Sequence, residues 1–505
     1  MSNPIRDVRN RCVEVIEYFF EGDNSFASQA IELASSMQHV MEFTKIRVIE
    51  ATFALIRKGI SNVLEYNESH PELSIDDEVL IKYMRKWTLQ AFMWGVAGSM
   101  TLLRRGDYSK AIAAIIPRDV SLPPQLGAVE GAAGVPYILI DFEVKIEDGE
   151  WSLWKKKVPT IEIDPQRVTD ADLIITTVDT LRHQEILCSW LSEHRPFILC
   201  GPPGSGKTMT LMSTLKSLPE FEMIFVNFRS STSPALIMKQ FDHYCEYVKT
   251  VAGIILRPKQ PNKWLVVFCD EINLPDTDKY ATMTVITFLR QLTEQHGFWR
   301  TSDRQWVSLE RIQFVGACNP PTDIGRKPLS PRFLRHCPLI LVDFPGFDSL
   351  KQIFGTFNKA MLKRNLSLRG FADCLTLAMI EFYAQSQQHF TSDIQPHYIY
   401  SPRELTRWKY ALNEAIDNMD TIEDLVRLWS HEAMRLFQDR LVQEDEKQWC
   451  DKLIDEVALR NFPNVNTTCL ERPVLFSNFF KKNYVSVERN ELRKHVEGRL
   501  RSFYE

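Results

Sequence analysis

The chain has 505 residues, 44% of them hydrophobic and 25% charged, a globular balance at a length that exceeds one core. Its formal net charge of -5 argues against a general nucleic-acid-binding surface. No apolar run approaches the roughly 18 to 20 residues of a membrane span, and the polar start MSNPIRDVRNR is not a secretory signal.

From about residue 11 to 112 the pattern is helical, with Ile49, Phe53, Ile56, Ile60 and Val63 recurring at about one helical turn. LPPQLGAVEGAAGVP, ending at Pro136, breaks that pattern as a linker or exposed loop. Two strand-like runs follow, YILIDFEVKI and EWSLWKKKVPTIEI. After about residue 166, short apolar strands (FILC, EMIFVNF, WLVVFCDE, IQFVGACNPP) alternate with helices. That alternation predicts a parallel sheet with helices on both faces. From about 346 onward the reading is mostly helical. The ten cysteines lack CxxC or Cys/His metal spacing, and several sit inside apolar runs. They read as small buried residues in a reducing, cytoplasmic chain.

Gly201-Pro202-Pro203-Gly204-Ser205-Gly206-Lys207-Thr208 fills the phosphate-loop pattern GxxxxGK[ST]. Glycines let the backbone wrap an anion, and the following helix turns its positive end toward it. Lys207 is the charge for the β- and γ-phosphates of ATP or ADP, and the Thr208 hydroxyl is a Mg²⁺ ligand. Met209 adjoins the loop. A chance match in a flexible turn is the alternative; the strand before and the apolar helix after speak against it.

Some sixty residues downstream, WLVVFCDE ends in Asp270 and Glu271. Asp270 suits the Mg²⁺ shell and Glu271 a general base that polarises water. The alternative is that both acids cap the next helix. Asn319 leaves the next strand, where its amide is placed to hold the water or the γ-phosphate, or else serves as a turn residue before two prolines. Ser-Pro-Arg opens two helices, at 330–332 and 401–403. Serine and proline suit those positions, whereas arginine opposes the dipole and suggests a nearby anion. Arg403 could close over the phosphates in cis, and Arg332 or Arg335 could reach a neighbour's nucleotide; solvated surface arginines are the alternative.

Loop, acids, asparagine and arginines, in that order, resemble the AAA+ ATPases. GPPGSGKTMTL, FDHYCEY, WLVVFCDEINLPDTDKY, ERIQFVGACNPPTDIGRKPLS, RFLRHCP and QPHYIYSPRELTRW, spread over about 200 residues, look like the third AAA+ module of cytoplasmic dynein heavy chains. The flanks agree. The resemblance implies an α/β P-loop AAA+ module followed by a small helical subdomain, with mainly helical flanking segments. It divides the chain into the helical end of a preceding module at 1–125, a large α/β subdomain at 126–345, a small helical one at 346–430 and a connection at 431–505.

The resemblance also implies roles. VTDADLIITTVDTLR is similar to the segment that encloses adenine, with Ile174, Ile175 and Val178 apolar and Asp179 and Arg182 polar. Asn319 becomes the first sensor and Arg403 the second. Arg332, with Arg335 in reserve, becomes the finger offered to the preceding module. GIILRPKQPNKW and FWRTSDRQWVSLE read as hairpins and resemble inserts flanking the acidic motif. Such a third site is regulatory within a minus-end-directed, cytoskeletal microtubule motor. Its implied partners are adjacent AAA+ modules, light and intermediate chains, and a lissencephaly-type regulator, with neither nucleic acid nor membrane. No tail, stalk or microtubule-binding tip is recognisable here, and the finger for the Gly201 loop would come from a fourth module. The competing readings are a nucleotide-stabilised docking module with little hydrolysis and, less favoured by the charge balance, an AAA+ enzyme of nucleic acids.

Overall fold

A computed structural model describes residues 4–129, 134, 136–170, 173–251, 253–463, 465–480 and 483–504. The described residues fall into two compact units, Met1–Val158 with Val178–Asp343 and Pro159–Thr177 with Phe344–Glu505.

The first unit begins with five helices, α1 (Pro4–Glu17), α2 (Phe26–Ser35), α3 (Lys45–Ser69), α4 (Asp77–Ala97) and α5 (Leu102–Ile115). On α3 the inward stripe is Val48, Ala51, Leu55, Ile56 and Val63. Ile49 and Phe53, expected on that stripe, are more than a third exposed, because the buried face is rotated by about one residue. Of the expected linker, residues 130–133 and 135 lie outside the described residues. The two strand-like runs shrink to a short antiparallel pair, β1 (Phe142–Val144) and β2 (Trp151–Leu153), bounded by single turns of 3-10 helix.

Next come α6 (Val178–Ser192), β3 (Phe197–Cys200), α7 (Lys207–Lys216), β4 (Phe221–Asn227), α8 (Pro234–Tyr244), β5 (Cys245–Thr250), β6 (Gly253–Pro258), β7 (Trp264–Asp270), α9 (Thr284–Glu294), β8 (Gly297–Trp299), β9 (Trp306–Leu309), β10 (Ile312–Cys318), α10 (Pro331–Leu334) and β11 (Leu339–Leu341). The main sheet runs β11-β3-β10-β7-β4 with every pairing parallel. Its inner strands β3, β7 and β10 are mostly apolar because both faces are covered, whereas the edge strand β4 carries Glu222 and leaves Phe225 exposed. Phe197, Leu199, Val266, Phe268, Val315 and Ala317 share a core with α6, α7 and the amino-terminal helices. Their sequence neighbours Ile198, Cys200, Leu265, Val267, Phe314 and Cys318 join α8 and α9 in another. This is the period-two alternation of a strand used on both sides.

A second sheet, β5-β6-β9-β8, lies apart from the main one. FWRTSDRQWVSLE forms the expected hairpin, β8 with β9. GIILRPKQPNKW does not: its strand β6 pairs with the preceding β5, and the run ends by entering β7 of the main sheet. All ten cysteines are free thiols, eight of them buried.

The second unit holds α11 (Phe347–Leu362), α12 (Ala372–His389), α13 (Pro402–Ala415), α14 (Ile422–Ala433), α15 (Glu444–Asn461), a two-stranded pair β12 (Phe476–Ser477) and β13 (Val485–Ser486), and α16 (Arg489–Tyr504). Its core centres on Trp408 and Trp429, stacked at 5.5 Å between ring centroids, with Phe382 edge-on to both. Lys409 enters this core, donating to the Val168 carbonyl at 2.8 Å and lying 4.2 Å from the Phe357 ring centroid. Burial pushes its amine down from 10.5 to about 8. Between those values the unfolded chain binds more protons than the folded one, so this lysine makes stability rise with pH through that window. Lys409→Met is expected to remove the rise, read as denaturation midpoints at several alkaline pH values. Parallel pH dependences for the two proteins would refute the assignment.

Candidate nucleotide site

The site is built at the carboxyl ends of β3, β10 and β7, where an open parallel sheet leaves a crevice. Cys200 of β3 pairs with Cys318 of β10, and Cys269 of β7 pairs with Gly316. The residues that leave these strands, Gly201, Asn319 and Asp270, are thereby neighbours by register. The loop needs its glycines for distinct reasons. A side chain on Gly201 would meet the Val342 carbonyl oxygen at 2.1 Å and Ser205 Oγ at 2.8 Å. Gly206, at φ +92, caps α7 in the left-handed region where L side chains are strained.

Lys207 is buried, and its Nζ donates to the carbonyls of Gly201 at 2.7 Å and Pro202 at 3.1 Å and to Asn319 Oδ1 at 3.2 Å. The loop thus folds back on its own lysine, with Asn319 completing the cluster. Ser205 Oγ is buried without a partner. An anion in the loop gives both groups a better acceptor, so the residues fit a phosphate. Thr208 is half-buried and Met209 exposed at the start of α7; Pro202, Pro203 and Gly204 are half-buried. Asp270 and Thr208 are the oxygen donors available to a Mg²⁺ ion, a set that fits its preference for one carboxylate, one hydroxyl and substrate phosphates.

The acids do not cap a helix: the next one, α9, starts only at Thr284. Asp270 Oδ1 accepts from the Glu271 amide at 3.0 Å. Glu271 has φ +61, an unusual conformation for a residue with a side chain. Its carboxylate is ion-paired with Arg326. The Arg326 guanidinium is held below its ordinary range by burial, with Asp270 opposing that effect.

Three residues of this cluster escaped the sequence reading. Arg326 is one. Asn273, fully buried, donates to the Asn319 carbonyl at 2.9 Å and anchors the loop that follows β10. Asp323 has its carboxyl raised by burial and lowered in turn by Lys207. Nothing local in the sequence marks any of the three.

The arginines separate. Arg335 pairs with Glu294 at 2.7 Å and donates to His336 Nε2 at 2.9 Å. Arg332 is exposed and, among the described residues, makes no ion pair. Ser330 caps its four-residue helix without a side-chain bond. Arg403, exposed at the second position of α13, sits beside a complete capping box between Ser401 and Glu404. Ile174 and Ile175 belong to the second unit, where Ile175 is buried in the helical core. Val178 opens α6 of the first unit, half-buried. Arg182 binds Asp179 at 2.5 Å and Asp141 at 3.0 Å, an ion cluster of three residues. Among the described residues no group of three His, Cys, Asp or Glu side chains could hold a metal, and no helix is long and apolar enough to cross a membrane.

A phosphate loop on the first central strand, acids two strands away, an asparagine between them and a following helical unit define a P-loop AAA+ module with its lid. Family profiles agree: "P-loop containing dynein motor region" matches 162–345, "Dynein heavy chain, ATPase lid domain" 357–447, and "Dynein heavy chain AAA lid domain" 16–156. The chain belongs to the dynein heavy chain family. It is 64% identical to a cytoplasmic dynein heavy chain of Paramecium tetraurelia and 54% to one of Dictyostelium discoideum, each over 99% of this chain. A Drosophila melanogaster cytoplasmic heavy chain is 51% identical over 96% of it. The chain spans about a tenth of the length of these relatives: 11%, 10% and 10%.

Proposed function

We propose that this chain is the third AAA+ module of a cytoplasmic dynein heavy chain, a regulatory site that binds and hydrolyses ATP. The observation that carries the reading is Lys207, which gathers the phosphate loop and Asn319 around one buried ammonium beside the two acids. In this proposal Gly201 to Met209 hold the phosphates, while Ile174, Ile175 and Val178 enclose adenine. Mg²⁺, when bound by Thr208 and Asp270, supplies charge neutralisation at the β- and γ-phosphates. Glu271 takes a proton from the water that attacks the γ-phosphorus, and ADP leaves. Asn319 orients that water, and Arg403 acts as second sensor. Arg332 serves as the finger toward a preceding module: it is exposed, whereas Arg335 is engaged by Glu294.

On this reading residues 1–125 close that preceding module, 126–345 and 346–430 are the large and small parts of this one, and 431–505 lead to the next. Nucleotide here gates the main motor ATPase of a minus-end-directed microtubule motor. Light and intermediate chains and a lissencephaly-type regulator are the partners of the parent complex, in the cytoplasm on microtubules. A second reading, a nucleotide-stabilised docking module with little hydrolysis, draws support from the ion pair that occupies Glu271.

ATP turnover of the chain alone and joined to its following module separates the two. Binding is expected in both forms, with turnover rising by about 10³ to 10⁵ when the neighbour's finger is supplied. Binding with negligible turnover in both would leave only the docking role.

A further inference from the structure

Away from the phosphate loop, the first unit contains a cavity of about 590 Å³ between α3, α4, α6 and the β1–β2 hairpin. That volume is in the range that holds small organic ligands, roughly 300 to 1,000 Å³. Its walls carry Tyr66, Tyr83, Trp87, Trp94 and Trp154. Two of these have their polar ends engaged by the protein: the Tyr83 hydroxyl accepts from Asn62 at 3.0 Å, and Trp87 Nε1 donates to the Leu55 carbonyl at 2.7 Å. What they offer a ligand is ring surface. One cation–π contact already exists here, Lys157 Nζ at 5.3 Å from the Trp154 ring centroid.

The charges around the cavity do not balance. Lys157 pairs with Glu143, Lys58 with Glu65 at 3.4 Å, and Arg182 with Asp141 and Asp179. Glu185 lines the same cavity from α6, and its carboxylate makes no hydrogen bond or ion pair among the described residues. Burial pushes this carboxyl above its usual range, with Lys58 and Lys157 only partly opposing. At the rim, Glu147 and Asp148 outnumber Lys145. A half-buried carboxylate without a partner among the described residues, set between aromatic walls, is the chemistry that recognises a cation with a flat apolar body.

We propose that this cavity is a binding site for a small organic monocation, its charge on Glu185 and its aromatic body against Tyr66, Tyr83, Trp87 and Trp94. It does not depend on the nucleotide reading, since no phosphate-loop residue lines the cavity.

The test is a fluorescence titration of the chain with 9-aminoacridinium, and with neutral acridine as the uncharged counterpart, in saturating MgATP. The cation is expected to bind and acridine to bind more weakly. Glu185→Gln, which keeps the shape and removes the charge, is expected to weaken the cation about tenfold, the effect of losing one charged hydrogen bond. Lys207→Ala is expected to leave cation affinity unchanged. Should Glu185→Gln fold poorly by circular dichroism, Tyr66→Ala on the half-buried rim removes a ring wall instead and should weaken the same cation. Equal affinity for acridine, full affinity in a folded Glu185→Gln or Tyr66→Ala protein, or no binding to the wild type overturns the proposal.

Discussion

Glu271→Gln is expected to lower ATP turnover by about 10² to 10⁴-fold, the usual share of a general base, while ATP still binds. The glutamine keeps the size of the side chain and can still accept from Arg326, so the loop after β7 retains its shape. What it loses is the capacity to take a proton from water. Glu271 does not contact the phosphate loop among the described hydrogen bonds, whereas Lys207 does, and this division is why chemistry and affinity should separate. Steady-state phosphate release read beside equilibrium ATP binding checks the outcome. A variant that loses binding to the same degree as turnover would mean that Glu271 shapes the pocket rather than acting on water.

Lys207→Ala is expected to weaken ATP binding by about 10- to 100-fold, which is the loss of one or two charge-assisted hydrogen bonds. The structure adds a reason beyond charge. The ammonium holds the Gly201 and Pro202 carbonyls and Asn319 together. Without it the loop loses the cross-link that keeps its amides gathered, so a phosphate must also organise the loop. Titration with a fluorescent ATP analogue measures the change. Unaltered affinity would mean that the backbone amides alone carry the phosphates.

Much of this site was legible in the sequence because its chemistry is local. Eight consecutive residues make the phosphate loop, and each acid or amide stands at the end of a short apolar run of strand length. The alternation of strands and helices gave the doubly covered sheet for the same reason. What escaped was non-local or conformational. Arg326 meets Glu271 across fifty-five positions of sequence, and no periodicity marks such a pair. The positive φ of Glu271 sits in a residue whose type does not predict it.

The misplaced hairpin has a similar cause. β5 follows α8 directly, with Cys245 the first strand residue after Tyr244, and no glycine or proline announces the change. FDHYCEY therefore reads as one continuous segment, and the strand that pairs with β6 hides inside it. On α3 the helix was legible but its orientation was not, because small residues such as Ala51 and Gly59 occupy the inward stripe and allow close approach by α4. A Cβ on Gly59 would meet the Trp87 ring at 2.3 Å, which shows how near α4 lies.

The claim that this site hydrolyses ATP is tested most directly by following bound nucleotide and released phosphate together, in the chain joined to its following module. The wild type is predicted to bind ATP and convert it to ADP with release of phosphate, whereas Glu271→Gln holds intact ATP. A wild type that holds ATP unhydrolysed, indistinguishable from the variant, would contradict the account.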